Sequence, residues 1–147
     1  MFYGTAAVSA EPQNSNPPAK VIVADDRNIV DGVALIANSG NRKNVEASVR
    51  EYFKDTPILA EIAKCESRFR QVDENGDVVR GEINRSDIGV MQINTYYHAD
   101  TAKKLGLDLK TLGGNMAYAK YLYEKEGSTP WLSSSGCWNK FKSLSQK

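Results

Sequence analysis

The chain has 147 residues, 41% of them hydrophobic and 25% charged, which suits one core of about 100 residues plus a tail. With 19 basic against 18 acidic side chains the formal net charge is +1, so no global field directs the chain toward nucleic acid or an anionic membrane. No apolar run reaches the about 18 residues that a membrane-crossing helix needs.

At the start, Ala7-Val8-Ser9-Ala10 looks like the small-residue end of a secretory signal, without the basic beginning and long apolar stretch of a complete one. Glu11 to Ala19 is rich in proline, asparagine and serine and reads as a flexible spacer. Residues 1–19 are therefore a residual signal-like segment and spacer. Residues 20–44 contain two short apolar runs, Val21-Ile22-Val23 and Val33-Ala34-Leu35-Ile36-Ala37. Periodicity does not separate strand from helix in runs that short, and this extension stays unassigned. The main domain is expected over 45–147.

Val45, Val49, Tyr52 and Phe53 have helical spacing and predict a helix over 45–54. Thr56-Pro57 reads as an N-cap with proline at the first helical position, opening a second helix. That helix carries Ile58, Leu59, Ile62 and Ala63 as its apolar stripe, and Glu66 continues the line of Ile58 and Ile62 four residues on. A carboxylate therefore ends a buried stripe. Valines flank Asn75-Gly76 within Gln71 to Val79, which predicts a β-hairpin between Phe69 and Ser86. Ala99, Ala102 and Leu105 followed by Gly106 predict a short helix, and Asn115 to Glu126 a longer one that stops at Gly127. Its buried face is expected to be Met116, Ala119, Leu122 and Tyr123. The reading is an α+β fold class, predominantly α-helical with a small β-hairpin lobe.

Cys65 and Cys137 are far apart and lack the close pairing of zinc or redox motifs. They read as one disulfide, which belongs outside a reducing cytosol, with two free buried thiols as the alternative. The bridge closes a loop of about 70 residues, and on a chain-entropy argument contributes on the order of 4 kcal/mol. It pins the segment from Thr129 to Lys147, with Trp131 and Trp138, onto the helix of Glu66. His98 is the single histidine and has no Cys or paired His nearby, so no metal site is expected. Asp73, Glu74 and Asp77 lack the ligand spacing and final glutamate of a calcium loop, and read as turn chemistry.

General acid catalysis needs a proton delivered to a leaving group, and a carboxylic acid keeps one near neutral pH only if its pKa is raised. Glu66 has two reasons to be raised. Its apolar stripe disfavours the charged form, and the carbonyl ends of a helix C-terminus do the same.

Cys65-Glu66-Ser67-Arg68-Phe69, followed by Ser86-Asp87-Ile88-Gly89-Val90-Met91-Gln92-Ile93-Asn94, resembles the paired motif of the lysozyme and lytic transglycosylase superfamily. A later helix carrying Asn115, Met116, Ala119, Tyr121 and Leu122 extends the likeness, which covers about residues 52 to 141. The resemblance implies a lysozyme-like fold whose cleft binds alternating N-acetylglucosamine and N-acetylmuramic acid. It makes Glu66 the catalytic acid and then base, and Asp87 the second catalytic group. It places Ser67, Ser86, Met91, Gln92, Asn94, Tyr118 and Tyr121 at the substrate.

Asp87 matches the second carboxylate of animal-type lysozymes. The Gly-x-Met-Gln-Ile-Asn wording resembles instead the specialised lytic transglycosylases of secretion systems and pili, in which the sugar's own 6-hydroxyl attacks and a 1,6-anhydro end remains. The Ala-Tyr-Asn-Ala-Gly stretch common in that family is missing, and Pro130-Trp131 with Gly136-Cys137-Trp138 stands in its place. Trp131 and Trp138 read as core rather than as sugar platforms. The expectation is an extracytoplasmic lytic transglycosylase acting as a monomer on peptidoglycan glycan strands, with no cofactor and no nucleic-acid partner. A hydrolytic muramidase using Glu66 and Asp87 is the alternative. A third reading, from a different class, is a peptidoglycan-binding protein that has lost catalysis, and the intact Glu66 argues against it.

Overall fold

The structure, a computed structural model, describes residues 41–145. The signal-like segment and spacer, and the unassigned extension as far as residue 40, lie outside the described residues. Among the described residues no helix is long and apolar enough to cross a membrane.

The first helix, α1 (Arg42–Tyr52), starts three residues before the expected position. Asn41 caps it, its side chain accepting the Lys43 N–H at 3.0 Å, and satisfies one of the donors that a helix start leaves open. This helix thus begins inside the stretch that the sequence left unassigned. Val45, Val49 and Phe53, each four residues after the last, form one buried stripe.

The second helix, α2 (Ile58–Ser67), is the centre of the fold. Its Ile58, Leu59, Ala60, Ile62 and Ala63 are almost fully buried, and each large side chain among them contributes roughly 1.5–3 kcal/mol by leaving water. The expected Thr56 cap is corrected. Pro57 is the cap residue and no side chain caps the helix start, because the Thr56 carbonyl already closes a turn to Leu59 N–H at 3.0 Å. Glu61, buried on α2, is met at 2.9 Å by Arg50 of α1, which ties the two helices. At the other end Arg68 and Phe69 both have positive φ, 56° and 59°, a conformation that non-glycine residues adopt at a cost of about 1–2 kcal/mol each. This double turn stops the helix at Ser67, with Arg68 as its left-handed cap, and sends the Phe69 ring into the core.

The expected hairpin over Gln71 to Val79 is reduced to one bridge, between Val72 and Val78. Asp73 is the reason: its carboxylate accepts the N–H groups of Asn75 and Asp77 at 2.9 and 3.0 Å, winding 73–77 into a closed loop instead of extending the strands. The paired strands are instead β1 (Asp87–Ile88) and β2 (Ile93–Asn94), antiparallel, with Asp87 opposite Asn94 and Ile88 opposite Ile93. A further bridge from Arg80 to Ile88 attaches the preceding loop to β1.

Helix α3 (Thr95–Lys104) follows β2 directly, capped by Asn94 Oδ1 on the N–H of Tyr96 at 3.0 Å and of Tyr97 at 3.4 Å. Helix α4 (Leu112–Glu126) starts three residues before the expected Asn115, with Thr111 capping Gly114 N–H. It ends at Gly127 as expected. Leu112, Met116, Tyr118, Ala119 and Leu122 are buried, while Tyr123 is only half-buried.

The chain closes with a 3-10 segment (Thr129–Ser134), a single turn of helix α5 (Ser135–Trp138) and a second 3-10 segment (Asn139–Ser145). All three pack on α2. Cys65 and Cys137 form a disulfide that joins α2 to α5 across 72 residues. Trp131 and Trp138 are 3% and 0% exposed, and both belong to the core. The described residues are mostly helical with one small antiparallel sheet, an α+β arrangement.

Candidate active site

The turn between β1 and β2 is built by two buried amides from elsewhere in the chain. Gln71 Oε1 accepts Val90 N–H at 2.9 Å, and its Nε2 donates to the Lys110 carbonyl at 2.8 Å. Asn115 Oδ1 accepts Met91 N–H at 2.9 Å, while its Nδ2 donates to the Ile88 and Leu109 carbonyls, both at 3.0 Å. A buried turn needs partners for its backbone groups, and these two side chains supply them. Gly89 sits at φ +74°, and a Cβ there would lie 2.5 Å from Asn115 Nδ2, so the close approach requires glycine.

This clamped turn faces the end of α2, and the two border, together with α3, α4 and the first 3-10 segment, an open cavity of about 300 Å³. Glu66, Asp87, Gln92 and Asn94 line it together with Tyr97, His98, Leu122, Glu126 and Trp131. A larger cavity, about 720 Å³, lies between Arg70, Asp73, Asp77, Arg80, Arg85 and Lys110. Its charged side chains are all exposed, and no buried acid or base faces it. The smaller cavity is therefore the candidate site.

Glu66 stands in the last turn of α2 with its carboxyl largely withdrawn from water. That burial pushes its pKa up from the ordinary carboxylate value, and the negative charge of Asp87 pushes the same way. A hydrogen bond from Ser134 Oγ to Glu66 Oε1, at 2.5 Å, opposes both by favouring the ionised form. Asp87 lies on β1, where the cross-strand partner Asn94 donates its Nδ2 to Asp87 Oδ1 at 2.6 Å. Asn94 therefore does two jobs at once, orienting the second carboxylate and capping α3. Gln92, at φ +50°, turns its amide back to the Gly89 carbonyl at 2.8 Å and borders the cavity.

The remaining expected site residues fall elsewhere. Met91 is fully buried, because the clamped turn directs its side chain into the core, and it meets the site wall only through its carbonyl, which accepts Trp131 Nε1–H at 2.9 Å. Ser67 is 2% exposed, and its hydroxyl donates to Val90 O at 2.8 Å, joining α2 to the turn rather than facing the cavity. The Ser86 carbonyl receives both the backbone N–H and the hydroxyl of Thr95, so this residue holds the start of α3. Tyr118 is 1% exposed and lies behind His98, its hydroxyl 3.1 Å from His98 Nδ1. Tyr121 stacks beside Tyr118, outside the cavity wall. The face of α4 that meets the cavity is Leu122 and Glu126, one turn apart.

Several lining residues were missed in the sequence. Tyr97, 73% exposed, overhangs the cavity beside Tyr96, 82% exposed, and this aromatic pair directly after the Asn94 motif was the available signal. His98, read only as a failed metal ligand, borders the site with its pKa lowered by burial. Ser134, which bonds Glu66 from outside the cavity lining, gave no signal at all within a run of three serines.

The arrangement brings a carboxylic acid that resists ionisation next to a second carboxylate, in an open cleft edged by an exposed aromatic ring and amide side chains. It suits proton delivery to a polar, ring-containing substrate. Comparison with known proteins finds no matching family model, no matching curated protein and no matching solved structure.

Proposed function

We propose that the chain has a lysozyme-like fold and is a peptidoglycan lytic transglycosylase, cleaving the β-1,4 bond between N-acetylmuramic acid and N-acetylglucosamine. One observation carries the reading: Glu66, raised in pKa by burial, shares a cleft with Asp87 at the position where the two motifs of the resemblance meet. Glu66 protonates the glycosidic oxygen as the bond from that oxygen to the sugar C1 breaks. The positive charge that develops on the sugar ring is met by Asp87. Glu66, now a carboxylate, takes the proton from the attacking hydroxyl, so it ends the cycle protonated. When the attacker is the 6-hydroxyl of the same sugar, a 1,6-anhydro end results.

The position of Asp87 favours a second reading. A carboxylate held in the same cleft and oriented by Asn94 also serves a hydrolytic muramidase, in which water replaces the 6-hydroxyl. The disulfide fits a protein that works outside the reducing cytosol, where the peptidoglycan is. In a turbidity assay on purified cell-wall sacculi, the protein should clear the suspension and Glu66→Gln should not. Clearing by Glu66→Gln at the rate of the parent removes the assignment.

A further inference from the structure

Ser134 Oγ has three polar neighbours and a single proton. Two of them are acceptors, Glu66 Oε1 at 2.5 Å and the Trp131 carbonyl at 3.1 Å. The third is a donor, Trp138 Nε1–H, at 3.0 Å. A serine hydroxyl donates once and accepts twice, so it cannot serve both acceptors. Trp138 Nε1–H also reaches the Trp131 carbonyl at 3.1 Å, which gives that carbonyl a donor of its own. The serine proton is therefore free to turn to the carboxyl, where the contact is shorter.

We propose that Ser134 fixes which oxygen of Glu66 carries the acid proton, acting as a positioning residue for the reaction. This inference rests on the reading of Glu66 as a general acid. The carbonyl oxygen of a protonated carboxyl is a much stronger acceptor than its hydroxyl oxygen, so while Oε1 accepts the Ser134 hydrogen the proton is favoured on Oε2. Among the described residues Oε2 has no protein hydrogen bond, and Glu66 lines the cavity, so Oε2 is the oxygen left for a substrate. In the reaction the proton leaves Oε2 for the glycosidic oxygen and returns to Oε2 from the attacking hydroxyl. The serine proton never leaves its oxygen. Ser134 sits in the 3-10 segment three residues before Cys137, so the disulfide and the Trp138 ring hold it over the end of α2.

The charged and titratable groups around Glu66 are Asp87 on β1, Tyr97 and His98 on α3, and Glu126 on α4, all bordering the same cavity. None of them comes from the segment that carries Ser134, so replacing Ser134 leaves them in place. Ser134→Ala also leaves Trp138 Nε1–H bonded to the Trp131 carbonyl, so no buried donor is orphaned.

The test is an NMR titration of carboxyl-labelled glutamate, with the Glu66 resonance identified by its loss in Glu66→Gln. In Ser134→Ala the Glu66 midpoint should move to higher pH, since the bond that favours the ionised form is gone, and in Ser134→Thr it should return toward the parent value. The Trp138 indole N–H resonance should follow the Glu66 titration in the parent and cease to follow it in Ser134→Ala. On peptidoglycan, Ser134→Ala should lower kcat by on the order of tenfold through lost positioning, while the alkaline limb of its pH profile moves upward. A merely structural loss lowers the rate without raising that limb. An unmoved Glu66 midpoint in Ser134→Ala overturns the inference. If the midpoint moves but the parent protein releases nothing from peptidoglycan, the Ser134 to Glu66 link stands and the glycan-cutting reading falls.

Discussion

At Glu66 the local environment and the chemistry ask for opposite things, because a buried carboxyl that must sometimes be ionised weakens the fold. Its pKa is raised in the folded protein, so its contribution to stability is full below the ordinary carboxylate range and is lost as pH rises through the folded value. Glu66→Gln keeps an acceptor for Ser134 and never ionises. Its melting temperature should therefore exceed the parent's at pH 7, with the gap closing in acid, as calorimetry across pH would show. Activity should follow the protonated acid and fall on the alkaline side as Glu66 ionises. Asp87→Asn should reduce kcat by on the order of a hundredfold or more if water attacks, and by only a fewfold if the 6-hydroxyl does, read from the rate of glycan release. Glu66 was legible because a stripe of Ile58 and Ile62 ran into it at a helix end. Met91 lies in the core and not on the cavity wall for a geometric reason. Membership of the motif says nothing about which side of a four-residue turn a chain atom faces, and Gln92 at positive φ breaks the simple alternation.

At the scale of elements, the β1 to β2 turn depends on side chains remote in sequence. Asn115→Ala removes three hydrogen bonds at once and leaves Met91 N–H, Ile88 O and Leu109 O without that partner. At about 1 kcal/mol each, the expected loss is roughly 3 kcal/mol. Urea denaturation should show it as a lower midpoint with an unchanged slope. Gly89→Ala meets the same amide at 2.5 Å and needs a strained φ, so it should be destabilising by a comparable amount. The elements themselves were readable wherever an apolar period was strong, as in α2 and α4. Their starts were not, because Asn41, Asn94 and Thr111 cap through side-chain bonds that outweigh the position of the first apolar residue. The Asn75-Gly76 turn was correctly placed, yet the two strands it promised were shortened to a bridge by the competing bonds of Asp73.

At the scale of the described fold, the Cys65 to Cys137 bridge joins α2, the helix of Glu66, to the segment that carries Ser134 and both tryptophans. Cys137→Ser paired with Cys65→Ser should cost on the order of 4 kcal/mol, by the entropy of a loop of 72 residues, and should reduce activity together with stability. The disulfide was legible from two well-separated cysteines in a chain without metal-binding spacing. The Ser134 contact was not, since it joins residues 68 apart and appears only once the C-terminal turns fold back over α2. The proposed glycan-cutting site at Glu66 is best probed by mass spectrometry of muropeptides released from purified peptidoglycan, with Glu66→Gln as control. A lytic transglycosylase should release products lighter by one water than their hydrolysed counterparts and resistant to borohydride, absent from the control. Reducible products would rule out the transglycosylase outcome and move Asp87 into the role of second catalytic carboxylate, and no released products would rule out glycan cutting at Glu66.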